Sequence, residues 1–103
     1  MSFEIHARDE GDWKVIDVRG ELDAHTAPEL DFQLAQLNLQ GAYRMVLDLA
    51  AVDLVDSTGL GALVAVRNRC MEAGGDFAIA NPRPIVLKVI HVTGLEDVLP
   101  VQG

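Results

Sequence analysis

Apolar and polar positions along this chain change their period several times, and the changes mark out its elements. Phe3-Glu4-Ile5-His6-Ala7-Arg8 alternates, as a half-buried strand does. Asp9-Glu10-Gly11-Asp12 reads as a turn and Trp13 to Val18 as a second strand, so a hairpin is expected, with Gly20 closing it. Thr26-Ala27-Pro28-Glu29 matches a capping box, with proline in the first turn where its missing N–H costs little. Leu30, Leu34 and Leu37 follow at helical spacing, and Gly41 is a stop. Met45 to Ala50 is short and apolar without an amphipathic period, which suits a central strand covered on both faces. A helix runs from about Ser57 to Gly74-Gly75, and Asp76 to Ala80 is a further strand. Asn81-Pro82-Arg83-Pro84 opens a helix over Ile85 to Val92, and Thr93-Gly94-Leu95 opens a short last one. The order β-β-α-β-α-β-α-α predicts an α/β fold: a mixed sheet of four strands, or five, with about four helices.

The helix after Ser57 carries two apolar stripes. At about 100° per residue, Ala62, Leu63, Val66, Cys70 and Ala73 fall on one line, expected to pack on the sheet. Leu60, Val64 and Met71 form a second line beside it. The combined arc is roughly twice the ~100° stripe of a simple surface helix. Either a neighbouring helix or a protein partner covers the second stripe, and the residues alone favour neither. Asn68, Arg69 and Glu72 fall on the remaining face, read as solvated.

The chain has 103 residues, half of them hydrophobic, which fits one small domain over 1–103 with a packed core. Its formal charge is −8, from 16 acidic and 8 basic residues. Nucleic acid and anionic membranes repel such a chain on average, whereas a basic protein partner is compatible with it. The single cysteine, Cys70, cannot form an internal disulfide and sits in an apolar helical pattern, so a buried thiol is expected. No Cys/His spacing suggests a metal site, and no cofactor is expected. Met1-Ser2-Phe3-Glu4 has neither the basic nor the apolar region of a secretory signal. No apolar run approaches the ~18 residues of a membrane span. The expectation is a soluble cytoplasmic protein without direct membrane insertion.

One loop looks like chemistry. Asp56-Ser57-Thr58-Gly59-Leu60-Gly61 joins an apolar strand to an apolar helix. It sets hydroxyls at a helix N-terminus, where N–H groups and the macrodipole favour negative charge. A phosphoryl group on Ser57 would be partly offset by the dipole and opposed by Asp56. The plainer reading, that Asp56 or Ser57 is only an N-cap, is the stronger one from the residues alone. The loop lacks the Gly-x-Ser-x-Gly of a nucleophile elbow and the Lys-Ser/Thr of a P-loop. His6 reads as a strand surface residue and His91 as a last-turn helix residue, while His25 is open. An enzyme acting through Ser57 would need a base within hydrogen-bond reach.

Val55-Asp56-Ser57-Thr58-Gly59-Leu60-Gly61 resembles the signature loop of the anti-sigma factor antagonists, single-domain bacterial proteins of the STAS class. Gly20-Glu21-Leu22-Asp23-Ala24-His25-Thr26-Ala27 resembles the family's segment between the second strand and the first helix. Thr93-Gly94-Leu95 resembles its late Ser/Thr-Gly-Leu element, so the similarity runs nearly end to end. The resemblance implies a binding protein rather than an enzyme. Its unphosphorylated form would bind an anti-sigma factor that is also a serine kinase, releasing a sigma factor. Phosphorylation of Ser57 would end the binding, with Thr58 a lesser acceptor, and a serine phosphatase would restore it. Asp23 and Asp56 match acidic positions near the acceptor. With Thr58, Gly59, Leu60, Gly61, Val64 and Met71 they make up the expected partner-binding set. The alternative is a STAS-type subunit of a lipid-transporting ABC complex.

Overall fold

The computed structural model describes residues 3–102. Met1 and Ser2, on which the reading of the N-terminus partly rests, lie outside the described residues. The hairpin forms from β1 (Glu4–Glu10) and β2 (Trp13–Leu22). They pair antiparallel and close at Glu10 opposite Trp13. The two-residue connection puts Gly11 at φ 62°, where a residue without Cβ is unstrained. There follow α1 (Ala27–Leu39), β3 (Arg44–Val55), α2 (Ser57–Glu72), β4 (Asp76–Ala80), α3 (Pro84–Val92) and β5 (Val101–Gln102). The sheet order is β1-β2-β3-β4-β5, and every pair after the hairpin is parallel. A fifth strand is therefore present.

The expected last helix is not, which leaves three among the described residues. Thr93 ends α3 instead of starting a new helix: its hydroxyl donates back to the Val89 and Ile90 carbonyls. Gly94 then turns the chain at φ 74°, and Leu95 N–H closes on Ile90 O. This is how a helix C-terminus satisfies its last carbonyls.

The parallel strands β2 and β3 run past their expected ends. Gly20 lies inside β2, at φ 114°, where the pairing register shifts. Asp17 pairs with Asp48 but Arg19 with Ala51, and Gly20 with Val52 but Glu21 with Leu54. Each step adds a residue on β3, which is a bulge. The bulges break the period of two, so that Leu49, Val52 and Val55 all face inward.

One core lies between the sheet and the helices. Ile16, Val18, Met45, Leu47, Phe77 and Ile79 supply its sheet side, and Leu30, Leu34, Leu63, Val66, Val86 and Ile90 supply all three helices. The alternate sheet positions point the other way and no helix packs on them. There Val15 and Val46, 8% and 9% exposed, stay outside the core cluster and are flanked by charged side chains. Arg8 pairs with Glu10 and Asp17, Arg19 with Glu4, and Arg44 lies 4.9 Å above the Trp13 ring. The expectation that β3 is covered on both faces is thus corrected: helices cover one face only.

Candidate functional site

Ser57 stands where the β3–α2 junction meets the end of β2. Leu22, the last residue of β2, pairs with Val55, the last of β3. The Leu22 carbonyl then accepts from Asp56 N–H at 3.1 Å. Gly59, in the first turn of α2, is buried against the same carbonyl. A Cβ on Gly59 would stand 2.9 Å from both the Leu22 carbonyl carbon and its Cγ, a distance side chains do not tolerate. The two loops are therefore fastened together at Leu22. Asp56 is the N-cap, extended at ψ −176°, and its Oδ1 accepts from Gly59 N–H at 2.8 Å. Ser57 and Thr58 are left exposed on top of this junction.

The β2–α1 turn beside it is held by Asp23 and Thr26. Asp23 Oδ1 accepts from the N–H groups of His25 (2.9 Å) and Thr26 (3.1 Å). Thr26 Oγ1 in turn accepts from Asp23 N–H at 2.9 Å and donates toward Glu21 O at 2.7 Å. The expected capping box does not form: Thr26 precedes α1 but makes no side-chain cap, because its hydroxyl is turned back into this clasp. Loss of solvent pushes the Asp23 carboxyl upward, but the hydrogen bonds from Thr26 and His25 outweigh it and hold the group below its ordinary value.

The expected partner-binding residues divide. Asp23 and Asp56 are half-buried, and Thr58, Gly61 and Met71 are exposed. Gly59 and Leu60 are buried, and Leu60 belongs to the core cluster. Val64 packs against that cluster while part of it reaches solvent. The second stripe is therefore largely covered by the chain itself, with Met71 alone of the three clearly outside. Ala73, expected to face the sheet, is exposed beyond the end of α2. Arg69 was expected in solvent but forms a seam to α1. Its Nε donates to Asn38 Oδ1 and its Nη1 to Asp31 Oδ1, both at 2.8 Å. Cys70 is buried, and burial pushes its thiol up.

Among the described residues no side chain hydrogen-bonds the Ser57 hydroxyl, and no three His, Cys, Asp or Glu side chains converge to hold a metal ion. His6 lies on β1 and His91 in the last turn of α3, both exposed, and His25 sits in the Asp23 turn. The residue that sequence reasoning missed is Thr26. Its spacing from Asp23 was the available signal, since Asp and Thr three apart form such local turns. No described helix is long and apolar enough to cross a membrane. The arrangement presents two exposed hydroxyls beside two half-buried carboxylates.

The fold and the sequence have known relatives. The STAS domain family model matches residues 4–102, and the chain belongs to that family. It is 30% identical over 101 residues to an anti-sigma-B factor antagonist of Staphylococcus epidermidis, covering 98% of this chain and 94% of that protein. It is 32% identical over 88 residues to the anti-sigma-B factor antagonist of Bacillus subtilis, covering 85% and 80%. The crystal structure of an anti-sigma factor antagonist from Mycobacterium paratuberculosis matches it with a TM-score of 0.86 at 30% identity, covering 97% of this chain and 85% of that one.

Proposed function

We propose that this chain is an anti-sigma factor antagonist switched by phosphorylation of Ser57. In the unmodified state it binds an anti-sigma factor that is also a serine kinase, and the sigma factor is released. The kinase transfers the γ-phosphoryl group of ATP to the Ser57 oxygen, the hydroxyl proton being taken up on the kinase side, and the complex separates. A serine phosphatase returns the chain to its binding state. The observation that carries this reading is an exposed Ser57 on a junction whose own needs are already met. Asp56 serves the helix N–H, so Ser57 is free for chemistry. The relatives' names agree with the antagonist role.

Electrostatics supplies the switch. A phosphate adds about −1.5 to −2 charge at pH 7. On Ser57 it would stand near the Asp56 and Asp23 carboxylates, and a docking partner would have to strip its water. An unpaired buried charge of that size costs several kcal/mol, enough to separate a complex. The fold itself should not respond, since the Ser57 side chain is exposed.

Intact-mass spectrometry of the chain from its own cells, with fragmentation to locate the added mass, tests the reading. A phosphate on Ser57 is expected. In parallel, Ser57→Ala should fold within about 0.5 kcal/mol of the parent and retain a kinase in pull-downs whether or not ATP is present. Ser57 bare under all growth conditions, with no kinase captured, would overturn the proposal.

A further inference from the structure

We propose that Thr26 is a positioning residue for the Ser57 site: its hydroxyl locks the β2–α1 turn so that Asp23 is held in one orientation for the incoming partner. The inference rests on the reading of Ser57 as a docking and phosphorylation site, and it adds a residue outside the expected set.

The hydrogen bonds show how the lock works. Thr26 Oγ1 lies 2.7 Å from Glu21 O, 2.9 Å from Asp23 N and 3.3 Å from Asp23 Oδ1. A hydroxyl has one proton and two lone pairs. It gives the proton to the nearer acceptor, Glu21 O, and receives the Asp23 N–H, so it ties the last strand residues to the turn. In return Asp23 Oδ1 takes the N–H groups of Thr26 and His25. Asp23 O accepts from Ala27 N–H at 2.8 Å, which fixes the turn to the start of α1. All of this consumes one carboxylate oxygen. Among the described residues Asp23 Oδ2 has no hydrogen-bond partner. It therefore remains for a group from outside, at an angle the clasp decides.

The same clasp is coupled to the acceptor. Leu22 lies between Glu21 and Asp23, the two residues that Thr26 grips. The Leu22 carbonyl receives Asp56 N–H and backs Gly59. A shift of Glu21 or Asp23 would move Leu22 and, with it, the residues on either side of Ser57. A pure helix cap would behave differently, because it would answer to α1 and not to the Ser57 loop. Thr26 makes no such cap.

The test uses the full chain and the kinase captured from its own cells by Ser57→Ala. Four chains are compared: the parent, Thr26→Val, Thr26→Ser and Asp23→Asn. Thr26→Val keeps the shape and removes the hydroxyl. It should weaken kinase binding about five- to tenfold, the worth of one hydrogen bond. The rate of Ser57 phosphorylation at limiting chain should fall in step. Thr26→Ser should restore both to within about twofold. By NMR, the Asp23 carboxyl should titrate closer to an ordinary aspartate in Thr26→Val, and the amides of Asp56 to Gly59 should shift. Asp23→Asn keeps the acceptor for both N–H groups, so it should keep the parental fold, at somewhat lower stability near neutral pH, yet bind weakly. It reads the role of Asp23 even if Thr26→Val fails to fold, so the proposal can still be overturned by that variant alone.

Thr26→Val binding as tightly as the parent, with a lowered melting temperature only, would make Thr26 a structural residue and overturn the proposal. An unchanged Asp23 titration, or Asp23→Asn binding at parental strength, would do the same. If the parent itself neither binds a kinase nor is phosphorylated, the functional reading falls first, and the positioning role with it.

Discussion

Gly59 and Gly61 sit two residues apart in one helix and should respond oppositely to the same change. Gly59→Ala drives a methyl into the Leu22 backbone. It should cost about 1–3 kcal/mol, the scale of core overpacking, and lower the melting temperature by roughly 4–8 °C per kcal/mol. Gly61 has open space around its missing Cβ. Gly61→Ala should therefore stabilise α2 by up to about 1 kcal/mol, since alanine is the better helix former. Urea unfolding of both variants gives the comparison, and a stabilised Gly59→Ala would refute the close approach to Leu22. Asp23 supplies a pH dependence. Its folded-state value is depressed, so its contribution is present above the ordinary aspartate range, near 3.9, and is lost as pH falls through the folded value. The stability difference between the parent and Asp23→Asn should be larger at pH 6 than at pH 3. The loop sequence made Asp56 legible as a cap. It could not make Leu60 legible as core, because a stripe of apolar residues looks the same whether the chain or a partner covers it. Since Leu60 is 4% exposed, Leu60→Ala should cost about 2–5 kcal/mol rather than act mainly on binding.

At the level of elements, the helix that carries Ser57 is anchored along its length by α1. The seam is polar at its far end: Arg69 reaches Asn38 and Asp31, and Asn38 Nδ2 donates to Ala42 O at 2.8 Å. One guanidinium nitrogen, Nη2, is buried without a partner, so the seam is not fully matched. Arg69→Ala should still destabilise by about 1–2 kcal/mol, because it strands the oxygen of the buried Asn38. Thermal unfolding would show it, and an unchanged melting temperature would mean that water replaces the arginine at no cost. The sequence reading put Arg69 on the solvated face, whereas its side chain is turned to α1 and only 30% exposed. Helical periodicity could not show that α1 lies close enough to be reached by a long side chain. Strand ends were hidden for a different reason. The two bulges add residues to β3 and disturb its alternation, so pattern reading stops at Ala50 while pairing continues to Val55. The two residues of β5 are too few to form a pattern at all. The hairpin, α1, α2, β4 and α3 were readable because each has a clean period and a strong stop.

Charge is distributed unevenly over the whole molecule. Arg8, Lys14, Arg19, Arg44, Arg69 and Arg83 each pair with a carboxylate. Asp23 and Asp56 at the Ser57 end have no such cation among the described residues, so their charges stay unneutralised there, on a chain of net charge −8. Association with a kinase should accordingly slow as salt rises from about 50 to 500 mM, chiefly through the on-rate. Stopped-flow mixing would measure it, and a salt-independent on-rate would remove electrostatics from the docking. The sheet order has a further consequence. Strands β1 to β5 follow one another in sequence, and all three helices share one face. Parallel α/β sheets make ligand crevices where consecutive connections part to opposite faces. Here they never part, so the topology sets no switch-point crevice at the end of the sheet that bears Ser57. Interference with the proposed switch would then suit a molecule that reads relief as another protein does: a peptide, a macrocycle or an antibody fragment laid across the Leu22 junction.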